Sequence, residues 1–186
     1  MDEIVRAALK KWPQVPACYG WLGLDARGDW YMRDDRVQEA GGFPQVKGSR
    51  LLHEKLREFI HRNYEVDERG CWFFQNGPQR VYVELEAAPF VLGVERQGET
   101  WRVLLNTGAD AGEVKRACTD EQGRLFLQTD SGFGIVRSLD MDVASDAVAT
   151  GAWSPQEMPF ADMPAQFGFV LSPQQAAPPT GEARHG

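Results

Sequence analysis

Long apolar runs are missing from this 186-residue chain. None approaches the roughly 20 residues that a membrane-spanning helix needs, so no membrane partner is expected. A basic surplus is missing too. Against 20 basic residues stand 27 acidic ones, a formal net charge of −7. Duplex nucleic acid is bound mainly through clustered Lys and Arg, so that class of partner is not expected either. A local basic pocket for one small anion stays open. Cysteine is scarce: Cys18, Cys71 and Cys118 are odd in number and include no CxxC. That usage fits small buried hydrophobes in a reducing compartment.

Catalytic signatures are equally thin. There is no GxSxG, no P-loop and no GxGxxG after a strand. His53, His61 and His185 do not cluster. The first two stand eight apart on one expected helix, which is not a zinc spacing. Cys71 with His53 or His61 could be imagined as nucleophile and base. Cys71 follows a turn glycine and precedes a run of aromatics, which favours packing. Asp140, Asp142 and Asp146 lack the glycine and closing Glu of a calcium loop, and read as a solvated acidic turn. No acid–base pair stands out. An enzyme is the minority reading, and no cofactor or metal is expected. The opening MDEIVRAALKKW puts acids first and has no small-residue cleavage site, so a secretory signal is not expected and the cytoplasm is.

What is present is an ordinary globular composition, 42% hydrophobic and 25% charged. Residues 2–11 read as a helix, with Asp2 and Glu3 first and Lys10 and Lys11 last, as the helix dipole prefers. Residues 18–34 read as two short strands about a turn, and 35–48 as loop. Ser49 suits the N-cap of a helix to about Asn63, whose Leu52, Leu56, Phe59 and Ile60 fall at helical spacing. A hairpin follows at 67–86. In its second strand Val81, Val83 and Leu85 face one way, and Tyr82, Glu84 and Glu86 the other. Hairpin strands are expected at 90–96 with 100–105, and further strands at 123–129 and 133–139. From Gly151 six prolines interrupt regular structure, yet Trp153, Phe160, Phe167 and Phe169 lie there too. An aromatic-rich segment of that kind packs along the body, while the last dozen residues read as disordered.

One small pattern occurs three times, as LDARGDWYM (24–32), VDERGCWFF (66–74) and TDEQGRLFL (119–127). An Asp that bonds its own backbone starts each turn, and a Gly in the left-handed region closes it. The uneven intervals exclude a regular solenoid. A turn reused by a β-rich protein and a true duplication both explain the pattern.

The 67–86 hairpin gathers hydrogen-bond donors at its turn: Gln75, Asn76, Gln79 and Arg80. Trp72, Phe74 and Tyr82 stand nearby as stacking faces. Arg suits bidentate contact with a phosphate or carboxylate, and aromatics stack on bases. A purely structural reading stands beside this one. Asn76-Gly77 is a hairpin turn, Arg80 has Glu84 and Glu86 within reach, and aromatics fill cores.

Pro16, Cys18, Gly20, the DARGDWYM turn, the following helix, and WFFQNGPQRVYVELEAAPF with WRVLLNTG resemble uncharacterised proteobacterial proteins. The sequence resembles its own domain-of-unknown-function family and, more distantly, domain-of-unknown-function family 1285, over about residues 12–130. The resemblance implies a duplicated α+β protein of two small domains. Each is a helix on a strongly bent antiparallel sheet, the second like a pleckstrin-homology barrel. It further implies signal transduction by a nucleotide-like ligand bound between the domains. The turn at Asn76–Arg80 and the strand end at Asn106 and Thr107 would line that site. The family's usual Thr-Pro-x-Glu-Lys turn is replaced here by Asn76-Gly77-Pro78-Gln79-Arg80, and its pattern does not extend to the Pro-rich segment after residue 150. The resulting expectation is a domain over 1–86, a second over 87–150 and an extension over 151–186. Its function is non-catalytic ligand binding or regulation. The alternative is a protein-interaction module that docks a partner on its sheet face or aromatic tail.

Overall fold

Three aspartates start three turns of the same build in the computed structural model, which describes residues 1–177. Asp25 Oδ1 accepts the backbone N–H of Arg27 and of Asp29, each at 2.9 Å. Asp67 Oδ1 accepts from Arg69 at 2.9 Å and Cys71 at 3.0 Å. Asp120 Oδ1 accepts from Gln122 at 3.0 Å and Arg124 at 2.9 Å. The glycine three residues on (Gly28, Gly70, Gly123) has φ of +91°, +81° and +72°, a region that a side chain makes costly. Each aspartate's second oxygen takes a cation: Lys47 at 2.9 Å, Arg69 at 2.9 Å and Arg124 at 2.7 Å, respectively. The expected turn chemistry therefore holds at all three positions.

These turns sit inside two six-stranded sheets. The first sheet has β1 (Cys18–Leu24), β2 (Trp30–Met32), β3 (Ser49–Arg50), β4 (Tyr64–Val66), β5 (Trp72–Asn76) and β6 (Gln79–Leu85), in the order β3-β2-β1-β6-β5-β4. The second has β7 (Phe90–Gln97), β8 (Thr100–Leu104), β9 (Val114–Thr119), β10 (Leu125–Thr129), β11 (Gly132–Val136) and β12 (Gln156–Glu157), in the order β12-β9-β10-β11-β7-β8. Both follow one plan. A hairpin (β1–β2, β7–β8) lays its first strand parallel to the last strand of a three-stranded meander (β4–β5–β6, β9–β10–β11). The parallel pairs β1–β6 and β7–β11 make each sheet mixed where hairpins alone would make it antiparallel. Neither sheet closes into a barrel. The Asp67 and Asp120 turns are equivalent under the duplication. The Asp25 turn is not, because Gln97–Gly98 stands in its place in the second unit. The turn therefore recurs both between the two similar units and within the first.

Helices complete the layers: α1 (Glu3–Lys11), α2 (Asp35–Ala40), α3 (Glu54–Arg62), α4 (Met141–Ala149), α5 (Met163–Phe167) and α6 (Pro173–Ala176). α3 begins later than Ser49 predicts. His53 caps it, its Nδ1 accepting from Leu56 N at 3.3 Å. Ser49 lies in β3, and Leu52 falls outside the helix, 72% exposed. The 35–48 loop contains α2, capped by Asp34. The acidic turn at 140–146 is the start of α4, whose Ala144 and Ala147 are fully buried against the second sheet. One core joins Leu24, Trp30 and Val83 of the first sheet to Phe126, Phe133 and Ile135 of the second.

The chain returns to the first sheet at its C-terminal end. Val170 N donates to Gly70 O at 3.0 Å and Leu85 N to Leu171 O at 2.8 Å. This return covers the face of β6 expected to be polar. Val83 and Leu85 are buried as expected, but Tyr82 and Glu84 are buried too. Phe167 stacks on Phe133 at 3.9 Å, and Phe169 and Met163 are buried in the core. Of the last dozen residues expected to be disordered, Gln175 and Ala176 lie in α6, whose N-cap Ser172 accepts from Gln175 N, while 178–186, and His185 with them, lie outside the described residues.

Candidate functional site

The donors of the β5–β6 hairpin do not converge on one site. Gln75 is fully buried, and its Nε2 donates to Gly77 O at 2.9 Å, bracing the turn. Gln79 Nε2 donates to Pro16 O at 3.1 Å. The Arg80 guanidinium lies 4.5 Å from the Phe73 ring centre. Among the described residues Arg80 makes no ion pair with Glu84 or Glu86. Glu86 instead accepts from Ala26 N at 2.9 Å and Lys47 Nζ at 3.1 Å. Tyr82 stacks on Tyr19 at 4.6 Å and donates its hydroxyl to Asp67 Oδ2 at 2.9 Å. Phe74 packs edge-on against Phe59. Trp72 lies between Tyr64 at 4.7 Å and Phe90 at 5.0 Å, so its ring bridges the two units. Asn76 is exposed.

Asn106 and Thr107 lie on the loop after β8, which Leu105 N closes by donating to Ala109 O at 2.8 Å. The loop enters the seam between the units and borders a concavity on each side. On one side a cleft of about 280 Å³ is lined by Arg27 and Gly28 from the Asp25 turn, and by Val91, Gly93, Glu95, Asn106, Gly108 and Arg137 from the second unit. Asn106 Oδ1 faces the Val91 N–H at 3.5 Å, while its Nδ2 is enclosed with no partner among the described residues. Arg137 is tied to Asp140 by bonds of 2.9 and 2.6 Å. The Arg27 guanidinium has no ion pair among the described residues. Gly93 lets the Arg137 guanidinium lie against its backbone, since an added Cβ would come within 3.1 Å of it.

On the other side a concavity of about 480 Å³ is lined by Glu58, His61, Arg62, Tyr64, Phe90, Leu105, Thr107 and Ala109. His61 Nε2 accepts the Trp30 indole N–H at 2.9 Å. Burial, with Arg57 nearby, pushes its pKa down to about 4, so the imidazole is neutral at pH 7.

The residues expected in one site thus occupy several places. Asn76, Gln79 and Phe74 border an apolar concavity of the first unit, Asn106 the smaller cleft between units and Thr107 the larger. Trp72, Gln75 and Tyr82 are committed to packing. Arg27 and Arg137, which border the cleft between the units, are not among the residues that the sequence singles out. Arg27 lies inside the repeated turn motif, but nothing local announces that β1–β6 pairing aims this turn at the second unit.

The coordinates define a two-unit α+β protein with a polar cleft between its units. The family model described as "Protein of unknown function (DUF2946)" matches residues 1–174, and the chain belongs to that family. No curated protein matches the chain. Among solved structures it is similar to a DUF1285 family protein from Silicibacter pomeroyi DSS-3, at 13% identity and a TM-score of 0.49 over 78% of this chain and 84% of that one. It is also similar to a DUF1285 family protein from Shewanella baltica OS155, at 16% identity and a TM-score of 0.48 over 68% of this chain and 91% of that one. Both belong to the family that the sequence resembles.

Proposed function

We propose that the protein is a non-catalytic, cytoplasmic binding or regulatory protein that takes a small anion, nucleotide-like in class, in the cleft beside Asn106. The observation that carries this reading is Arg27. Its guanidinium, without an ion pair among the described residues, borders the same 280 Å³ cleft as Arg137 and the enclosed Asn106 amide. An unspent guanidinium offers a planar fork for phosphate or carboxylate. The turn that carries it is held from below by Lys47, which bonds both Asp25 and Glu86. A ligand there would touch both units at once, and so could report on their packing to a partner. Three free thiols support the reducing compartment.

The test is a thermal-shift screen of the full chain against inorganic phosphate, nucleotides, cyclic nucleotides and cyclic dinucleotides. A ligand at about 100 times its dissociation constant adds about 2.7 kcal/mol. A hit lost in Arg27→Ala and kept in Arg80→Ala is expected, since Arg80 is stacked on Phe73. A flat screen, or binding untouched by Arg27→Ala, would overturn the reading. The competing reading, partner docking through the aromatic tail, is weakened because Met163, Phe167 and Phe169 are committed to the core.

A further inference from the structure

An apolar concavity of about 250 Å³ opens on the first unit and shares no lining residue with the two clefts between the units. Local sequence builds it. Pairing of β1 with β6 slips between Cys18 and Leu22, where Gly20 has φ of +79°. A slip of this kind breaks the alternation of a strand, and Cys18, Trp21 and Leu22 all reach the same hollow. Leu56 and Ile60, one turn apart on α3, form the opposite wall. Phe74 and Val81 form part of the lining, and Met32 stands at the edge. Trp21 is 42% exposed and Met32 51%, so large apolar side chains face water around the hollow.

The polar part of the lining is narrow. It consists of Asn76 and Gln79, both on the β5–β6 turn. Gln79 Nε2 is spent on Pro16 O. Among the described residues, Gln79 Oε1 and the Asn76 amide have no partner. Among the described residues no Lys, Arg, His, Asp or Glu lines the hollow.

We propose that this hollow binds a small, uncharged, mainly apolar molecule ending in one amide- or alcohol-like group. Its chain or ring lies against Leu22, Leu56 and Phe74, and its end group bonds Asn76 and Gln79. Size and charge select that occupant. Small-molecule pockets run from roughly 300 Å³ upward, apolar with a few convergent polar groups, so this one takes a single ring or short chain. A helix about 10–12 Å across does not enter it. A carboxylate or ammonium would find no counter-ion there, and an unpaired charge against apolar walls is costly. The Asn76 amide and the Gln79 carbonyl oxygen match one neutral end group.

Cys18 supplies the measurement. It is partly exposed and lines the hollow, whereas Cys71 and Cys118 are buried, and burial pushes both their thiols up. The alkylation rate of Cys18 by iodoacetamide is followed by mass on the full chain, with decanamide, decanoate or decyltrimethylammonium added as monomers. Decanamide is expected to slow alkylation saturably, and the two charged analogues to need about tenfold more. Leu56→Trp, which fills the hollow, is expected to abolish decanamide protection. Asn76→Leu, at an exposed position outside the core, is expected to weaken it even if Leu56→Trp fails to fold. No protection by decanamide, or equal protection by all three compounds, would overturn the proposal. So would a Cys18 rate that ignores decanamide but falls with protein concentration, which would assign the hollow to a second copy of the chain.

Discussion

Lys47 Nζ lies 2.9 Å from Asp25 Oδ2, joining the loop before β3 to the turn that carries Arg27. The Asp25 side chain is almost fully enclosed and that of Lys47 about one-third exposed. Burial pushes the Asp25 carboxyl up, but the Lys47 bond and the amides of Asp29 and Arg27 outweigh it, leaving its pKa below the ordinary 3.8. A carboxylate lowered on folding contributes stability above its unfolded pKa and loses it as pH falls through the folded one. Asp25→Asn is therefore expected to cost about 1.5–3 kcal/mol at pH 7, the range for hydrogen bonds to charged groups. The difference should shrink below pH 3.8. Urea denaturation of both proteins across that range checks it, and equal stability at pH 7 would contradict it.

Glu84 carries the opposite sign. Burial pushes its carboxyl above the ordinary 4.5, against the Ser172 hydroxyl, the Gln174 backbone N–H at 3.0 Å and the charge of Arg33. A carboxyl raised on folding contributes fully below its unfolded pKa and loses that contribution as pH rises through the folded one. Arg33 does not depend on Glu84 alone, because the carbonyls of Gly20, Gly41 and Val46 accept its N–H groups. Glu84→Gln keeps an acceptor for Gln174 and removes the buried charge. It is expected to stay within about 1 kcal/mol of the wild type at pH 7 and to flatten the decline in stability above pH 4.5. A loss of several kcal/mol at pH 7 would mean that the carboxylate is needed ionised.

What could be read without coordinates was local. The Asp25, Asp67 and Asp120 turns need only an Asp and a Gly three residues later, so sequence reveals them. The β5–β6 hairpin shows for the same reason. α4 stayed hidden because it packs through Ala144 and Ala147, which raise no apolar stripe, while its acids read as a solvated turn. The parallel pairs β1–β6 and β7–β11 join segments far apart in the chain and leave no local mark. The site suffered most from that. Donors crowded at Gln75–Arg80 looked convergent in sequence, yet Gln75 turns to Gly77, Gln79 to Pro16 and Arg80 to the Phe73 ring, Asn76 borders a separate hollow, and the cations bordering the cleft between the units are Arg27 and Arg137.

His61 offers a spectroscopic check on the seam. The Trp30 indole donates to its Nε2, and burial with Arg57 nearby lowers its pKa from 6.5 to about 4. A histidine lowered in this way contributes stability above pH 6.5 and loses it as pH falls through about 4. Imidazole resonances followed by NMR should show His61 unprotonated through pH 6 with its midpoint near 4, while an exposed histidine titrates near 6.5. A midpoint near 6.5 for His61 would mean that the Trp30 bond is broken in solution.

The C-terminal return decides whether the aromatic tail is scaffold or bait. Phe169 is buried within 5.5 Å of Phe133, ring centre to ring centre, and Phe167 stacks on the same ring at 3.9 Å. Phe133 also stacks on Phe126, and Phe126 on Phe160, so one aromatic column runs from the second sheet into the tail. Truncating a buried Phe to Ala costs about 3–5 kcal/mol through lost burial and the cavity left behind. Much of the stability of a marginally stable protein goes with it. Phe169→Ala is expected to lower the midpoint of thermal unfolding by about 6 °C or more, at roughly 2–4 °C per kcal/mol for this chain length. Deleting residues 158–186 is expected to expose the column and cause aggregation. A deletion that stays monomeric, with the wild-type melting temperature, would return the tail to the role of a docking segment.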